Sequence, residues 1–321
     1  MEAPSFDGAA VHALLDYDGC IAAMRGAMAA LSADVREQPL RAITDLGEGK
    51  MFGLMPGMLS GTQDFGAKLV SVFPDPARPG RTAHRGAVVL FDGATGSIAC
   101  IADAEAVTLI RTACASAAAT AALARADATC LGVYGCGAQA ASHIRAIARV
   151  RPLERVGIWA RDAGRAGDFA ARIAAETGLD AAAVADPAAL AGESDILCTV
   201  TSASEPVLKG DWVRPGTHVN AVGSSYAGPV EVDGALVAKS RYFVDYRRSA
   251  LAAASEFLAA RDAGLIGEDH SLAEIGAVFA GTAAGRTADD EITFYKSLGH
   301  VAQDLAAARY LLARSTKRRT P

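Results

Sequence analysis

The segment that most restricts what this chain can fold into is the apolar run Cys130-Leu131-Gly132-Val133-Tyr134, followed at once by Gly135-Cys136-Gly137-Ala138-Gln139-Ala140. A run of strand length that ends in G-x-G-x-x-A and opens a helical stretch needs a tight turn at Gly135, an open backbone at Gly137 and close helix-to-strand packing at Ala140. The first N–H groups of the helix have no partner within it, and they carry partial positive charge, so the turn suits a pyrophosphate. An ordinary glycine turn is the plain alternative, and the surroundings decide against it. Short apolar runs recur at Arg155-Trp159, Ile196-Val200, Thr217-Val222 and Tyr242-Val244, with helical stretches between most of them. That alternation argues for a parallel sheet with helices on both faces, and hence for a dinucleotide-binding domain of Rossmann type.

The strand after the loop bears on which dinucleotide. An NAD-specific site usually ends this strand in Asp or Glu, but here Arg155-Trp159 runs into Ala160-Arg161-Asp162. Ala160 accepts nothing, whereas Arg161 and nearby Arg165 can pair with a 2′-phosphate. NADPH is therefore favoured and NADH is possible. Asp162 as a displaced ribose acceptor, and Arg161 as a solvated surface charge, stay open as alternatives.

The rest of the chain reads differently. Apolar spacing suggests a helix from Val11 to Leu31. Candidate strands follow at Met51-Leu54, Ala67-Phe73 and Ala87-Phe91, then a long small-residue helix from Ala104 to Arg125. A helical segment from Glu291 to Arg314 closes the chain, with Thr287 and Asp290 as its capping box. At 321 residues, 51% hydrophobic and 21% charged, the chain is long enough for two domains and too apolar for disorder. It has no uninterrupted apolar stretch of spanning length, so no membrane association is expected. A net charge of −5 argues against a nucleic-acid partner, and Lys317-Arg318-Arg319 reads as a solvated tail. The six cysteines form no C-x-x-C pair and no metal-ligand cluster, and the N-terminus has no signal-peptide pattern; reduced thiols in a cytoplasmic protein are the expectation.

Further segments carry a resemblance. These are Arg41, Met55-Pro56, Gly66-Ala67-Lys68-Leu69-Val70-Ser71-Val72, Leu90-Phe91-Asp92, Arg111-Thr112-Ala113-Cys114-Ala115-Ser116, Asn220-Ala221-Val222-Gly223, Gly285-Arg286-Thr287 and Phe294-Tyr295-Lys296-Ser297-Leu298-Gly299. With the Gly135 loop, in this order, they make the chain resemble the ornithine cyclodeaminase/mu-crystallin family over almost its whole length. The resemblance implies a homodimer, with a Rossmann domain (residues 119–291) inserted into an α+β substrate-binding and dimerisation domain (1–118 plus 292–321), and an active site in the cleft between them. It also implies a small 2-imino or 2-amino acid substrate and a nicotinamide cofactor.

A 2-imino acid carries a carboxylate beside the carbon that receives hydride, so a cationic clamp is needed to orient it. By resemblance, Arg41, Lys68 and Arg111 occupy the substrate-carboxylate positions. From the residues alone, Lys68 is notable as a charge inside the apolar run Gly66 to Phe73, where it must be paired, face a cleft or reach solvent. His84 resembles a cofactor-contacting position, and a surface turn histidine is the alternative. Arg111, Thr201, Val222 and Ser297 are further cofactor positions by resemblance, beside Gly135, Gly137, Ala138, Gln139, Arg161 and Arg165. The altered pair Ser255-Glu256 leaves the role of Glu256 open, and His143 reads as a packing residue. Cyclodeaminases place a catalytic Asp two residues after the glycine of Asn220-Ala221-Val222-Gly223, where this chain has Ser225. A serine hydroxyl is no resting general base, and mu-crystallin-like ketimine reductases resemble the chain in having serine there. Reduction of a preformed imine, with Δ1-pyrroline-2-carboxylate or Δ1-piperideine-2-carboxylate as substrate and Lys68 among the possible proton sources, is the reading taken. Ornithine cyclodeamination and a non-enzymatic, NADPH-gated binding protein are the alternatives.

Overall fold

The computed structural model describes residues 3–74 and 82–317 and divides the chain into two compact units. The first comprises residues 1–111 and 300–321, and the second 112–299.

In the first unit β1 (Ser5–Phe6), α1 (Gly8–Leu14) and α2 (Tyr17–Ala33) precede four longer strands, β2 (Ala42–Gly47), β3 (Lys50–Met58), β4 (Phe65–Pro74) and β5 (Thr82–Phe91), and then β6 (Ile98–Asp103). The helix expected from Val11 to Leu31 is two helices, because Asp16 accepts the Gly19 N–H at 2.8 Å and so starts a new one. The six strands lie in the order β1-β6-β5-β4-β3-β2, antiparallel except for the β1/β6 pair. In sequence α3 (Ala104–Leu123) follows and straddles the division between the units. Among the described residues it is the one helix long and apolar enough to cross a membrane, yet 78% of its apolar window is buried in the protein, as in a core helix.

The second unit runs β7 (Cys130–Tyr134), α4 (Ala138–Ile147), β8 (Arg155–Trp159), α5 (Ala163–Thr177), β9 (Asp180–Ala183), α6 (Pro187–Glu193), β10 (Ile196–Thr199), β11 (His218–Ala221), α7 (Gly234–Lys239), β12 (Ser240–Val244), α8 (Arg247–Ala253), α9 (Ser255–Asp262), β13 (Ala273–Glu274), α10 (Ile275–Phe279) and β14 (Ile292–Lys296). Its eight strands are all parallel, in the order β13-β12-β14-β11-β10-β7-β8-β9. The chain leaves β7 toward β8 and β9, then returns to place β10 on the other side of β7. That reversal is the switch point of a Rossmann-type sheet. The chain ends in α11 (Val301–Lys317), which packs in the first unit against β3, β4, β5, β6 and α2.

Two expectations for the end of the chain are corrected. Residues 292–296 are not helical: Ile-Thr-Phe-Tyr-Lys is rich in β-branched and aromatic side chains, and β14 pairs with both β11 and β12 at full burial. A domain limit at 292 would therefore cut a strand out of the second sheet. Thr287 also caps no helix, since its N–H and hydroxyl bond the Glu291 carboxylate at 2.9 and 3.2 Å, ahead of that strand.

The Gly285-Arg286-Thr287 segment holds the second unit together. The Arg286 guanidinium donates to the carbonyls of Leu123 (2.8 Å), Gly216 (3.1 Å) and Glu291, and to the Thr293 hydroxyl (3.1 Å). A planar fork reaches partners that a lysine ammonium cannot serve together. Arg286→Ala and Arg286→Lys are both expected to destabilise the protein, the former by about 2–4 kcal/mol, as read from the midpoint of chemical denaturation.

Candidate functional site

In the first unit Lys68 projects from β4, Arg111 from α3, and Asp304 from the first turn of α11. All three are buried. Asp304 Oδ1 receives the Arg111 Nε–H at 2.9 Å and the Lys68 ammonium at 3.4 Å, while Lys68 also donates to Thr108 Oγ1 at 2.6 Å and Arg111 Nη1 to Gln303 Oε1 at 2.8 Å. Among the described residues, neither cation has a second carboxylate partner. Among the described residues, buried Asp304 Oδ2 finds no hydrogen-bond donor. Burial pulls the Lys68 ammonium down to about 8; Asp304 opposes that shift, and the charges of Arg111 and Arg41 add to it. The two cations hold the Asp304 carboxyl below its ordinary value against burial.

Arg41, half-buried just ahead of β2, acts electrostatically on both Lys68 and His300, so the structure brings together the three cations that the resemblance had implied. Asp304, Gln303 and Thr108 were missed. The available signal was an adjacent polar pair, Gln303-Asp304, inside an otherwise apolar helical stretch. His300 accepts the Ala302 N–H at 3.1 Å, and burial drives it down to about 4. It is neutral at neutral pH and is no imidazolium acid there. His84 lies in β5 opposite Val72, and its side chain is outside the described residues.

In the second unit the loop after β7 has the geometry its sequence demanded. Gly135 sits at φ +124°, where a Cβ would approach the Val200 carbonyl oxygen to 2.8 Å. Gly137 begins α4 with no side-chain cap, and a Cβ there would meet nothing within 4 Å. Ala138 is exposed, Gln139 is half-buried, and the first turn of α4 has no acidic residue. The result is an open cradle at the start of α4, in which the Gly135 N–H is already given to the Trp159 carbonyl at 2.8 Å. Arg161 and Arg165 are exposed beyond β8, and among the described residues no carboxylate pairs with either. Asp162 is occupied, because its carboxylate caps α5 through the Arg165 N–H at 3.0 Å. His143 is a core residue, bonded to Gln139 O at 2.8 Å and Ser116 Oγ at 3.1 Å and lowered by burial to about 4.

At the ends of β10, β11 and β14 a charge network appears that sequence reasoning did not find. The buried Glu231 carboxylate accepts from Thr199 Oγ1 (2.9 Å), Thr201 N (2.6 Å) and Thr201 Oγ1 (2.7 Å). Burial raises its carboxyl, against the opposing effects of Lys296 and these hydrogen bonds. The fully buried Lys296 donates at 2.9 Å each to Gly223 O, Ser224 Oγ and Glu256 Oε1. This settles Glu256 as the partner of a buried ammonium and not as a solvated helix face. Ser224 takes φ +49°, ahead of half-buried Ser225. Val222 is buried on the same turn, and among the described residues the buried Ser297 hydroxyl has no hydrogen-bond partner. Charges inside apolar runs, Lys296 after Ile292-Thr-Phe-Tyr and Glu231 between Val230 and Val232, were the signal available.

A parallel sheet with a glycine cradle at its switch point, an orphan hydroxyl at a neighbouring strand end, and a buried cation pair in a separate unit define a Rossmann-type oxidoreductase. The chain belongs to the ornithine cyclodeaminase/mu-crystallin family, whose sequence profile matches residues 7–318. A Δ1-pyrroline-2-carboxylate reductase of Paracoccus denitrificans is 37% identical over 250 residues, covering 77% of this chain and 78% of its own. The ketimine reductase mu-crystallin of Mus musculus is 32% identical over 273 residues, covering 85% and 83%. Among solved structures, the Δ1-pyrroline-2-carboxylate reductase of Thermococcus litoralis, in complex with NADH and L-proline, superposes with a TM-score of 0.92 at 28% identity over 98% of each chain.

The Lys68 environment predicts a pH dependence. The ammonium is present below about 8 and lost above it. Catalysis that uses the ammonium should therefore fall as pH rises through about 8. Asp304→Asn removes the carboxylate that supports the charge, so the alkaline limb of the kcat/KM profile is expected to move down by about one unit.

Proposed function

We propose that this protein reduces small 2-imino acids, Δ1-pyrroline-2-carboxylate and Δ1-piperideine-2-carboxylate foremost, to the corresponding cyclic L-amino acids, with NADPH preferred over NADH. The observation that carries the substrate class is the arithmetic around Asp304. Lys68 and Arg111 contribute two positive charges against one carboxylate, which leaves one positive charge unmatched in a buried site. Such a site favours an anion, and a substrate carboxylate supplies it.

The residues present fit a nicotinamide dinucleotide. The Gly135–Gln139 cradle takes the pyrophosphate, and Val222, with the orphan Ser297 hydroxyl, takes the other end. When bound, the reduced cofactor supplies the hydride that adds to the imine carbon. Arg111 and Arg41 orient the substrate carboxylate. The Lys68 ammonium, poised near neutrality, can give a proton to the imine nitrogen, so that hydride and proton together convert C=N to CH–NH. Ser225 offers a hydroxyl and no resting base, which disfavours removal of a proton from a substrate ammonium and hence cyclodeamination. The same reading makes the protein a homodimer. One face of the first unit's sheet presents Phe52, Leu54, Phe65, Leu69, Val89 and Phe91, and Phe52 and Phe65 are 37% and 40% exposed.

The deciding experiment is a panel of cyclic and acyclic 2-imino acids with each cofactor, followed by dihydronicotinamide absorbance. Turnover is expected, and its absence with both cofactors overturns the proposal. Lys68→Ala and Arg111→Ala should each lose at least about a hundredfold in kcat/KM while circular dichroism shows a folded protein. Near-native rates in both would refute the site. For the cofactor, Arg161→Ala is expected to raise the KM for NADPH about tenfold and leave that for NADH within about twofold. Equal changes would remove the argument for NADPH.

A further inference from the structure

The buried charges at the ends of β10, β11 and β14 do not balance. Lys296 contributes one positive charge, and Glu231 and Glu256 one negative charge each, so the cluster carries one net negative charge when both carboxyls are ionised. Lys296 is matched without Glu231. Its three N–H donors face three acceptors at 2.9 Å: Glu256 Oε1, Gly223 O and Ser224 Oγ. Glu256 is further tied by the Tyr242 hydroxyl at 3.2 Å. Among the described residues Glu231 is then the carboxylate with no cation in contact, and it acts purely as an acceptor toward the Thr201 N–H.

Its location gives that charge a use. A Cβ added to Gly223 would lie 2.4–2.5 Å from the Glu231 carboxylate atoms, so the carboxylate packs directly against the backbone of the Val222–Gly223 turn. The strand ends it holds adjoin β7 and its glycine cradle through β10. In a doubly wound sheet the ligand crosses the carboxyl ends of the strands at this point. A reduced nicotinamide ring is neutral and an oxidised one is cationic, so a buried negative charge behind the turn distinguishes the two forms.

We propose that Glu231 is a positioning residue that also sets the redox-state preference of the cofactor site, favouring the oxidised nicotinamide over the reduced one and thereby assisting hydride donation. This rests on the cofactor reading given above. A charge in a low-dielectric site acts beyond contact distance, whereas a neutral isostere does not.

Dissociation constants for oxidised and reduced cofactor, measured separately by calorimetry and by dihydronicotinamide fluorescence on wild type, Glu231→Gln and Glu231→Asp, test it without turnover. Glu231→Gln leaves Lys296 paired with Glu256 and keeps an acceptor for Thr201, so the fold should survive. Its expected effect is about tenfold weaker binding of the oxidised cofactor, with the reduced form within about twofold. Glu231→Asp retains the charge and should retain the wild-type ratio of the two constants. If the two constants shift by the same factor in Glu231→Gln, or not at all, the electrostatic role is overturned and the cofactor reading stands. If the wild type binds neither form, the cofactor reading falls and this inference falls with it.

Discussion

The arrangement of the first unit depends on one buried carboxylate. Asp304 brings together a lysine from a strand and an arginine from a helix more than forty positions further along, and burial makes that interaction consequential. In water a shared carboxylate would be worth little to either cation. Inside the unit, removing it would leave two like charges facing each other without solvent, a situation that typically costs about 3–5 kcal/mol. The same pairing leaves a positive excess and opposes the pull of burial on Lys68, which stands at about 8, so one contact serves stability, anion affinity and proton chemistry together.

The second unit solves a related problem with the opposite sign. Its parallel sheet must end three neighbouring strands in register beside a glycine cradle, and hydrogen bonding within the sheet does not fix the turns that follow. Glu231 ties Thr199 to Thr201, while Lys296 ties the Gly223–Ser224 turn to β14 and to Glu256. The left-handed backbone at Ser224 is held by that ammonium. Thr201 is thus committed to the scaffold by both its N–H and its hydroxyl, whereas among the described residues the Ser297 hydroxyl has no partner.

Much of this was legible in the residues. The strands β7 and β8 fall on the apolar runs Cys130-Tyr134 and Arg155-Trp159, and the phosphate loop has the turn its glycines demand, because both signals are local. The failures share a cause. Val11 to Leu31 has helical spacing throughout, but Asp16 prefers a cap and splits it. The end of the chain reads as helix because its neighbours do, while residues 292–296 find partner strands 75 and about 50 positions upstream. No window of sequence contains those partners.

The sequence by itself determined the class of the second unit and the identity of its cradle, since turn geometry and strand-to-helix alternation are set by residues next to one another. It also marked Lys68 as a charge inside an apolar run, without saying what it meets, and it passed over Lys296, Glu231 and Asp304. Only the tertiary structure decided that Lys68 and Arg111 share Asp304, that Lys296 faces Glu256, and that Glu231 is left as an unmatched carboxylate. The reason is physical: the cost of burying a charge is local, but the partner that offsets it is brought in by the fold from anywhere in the chain.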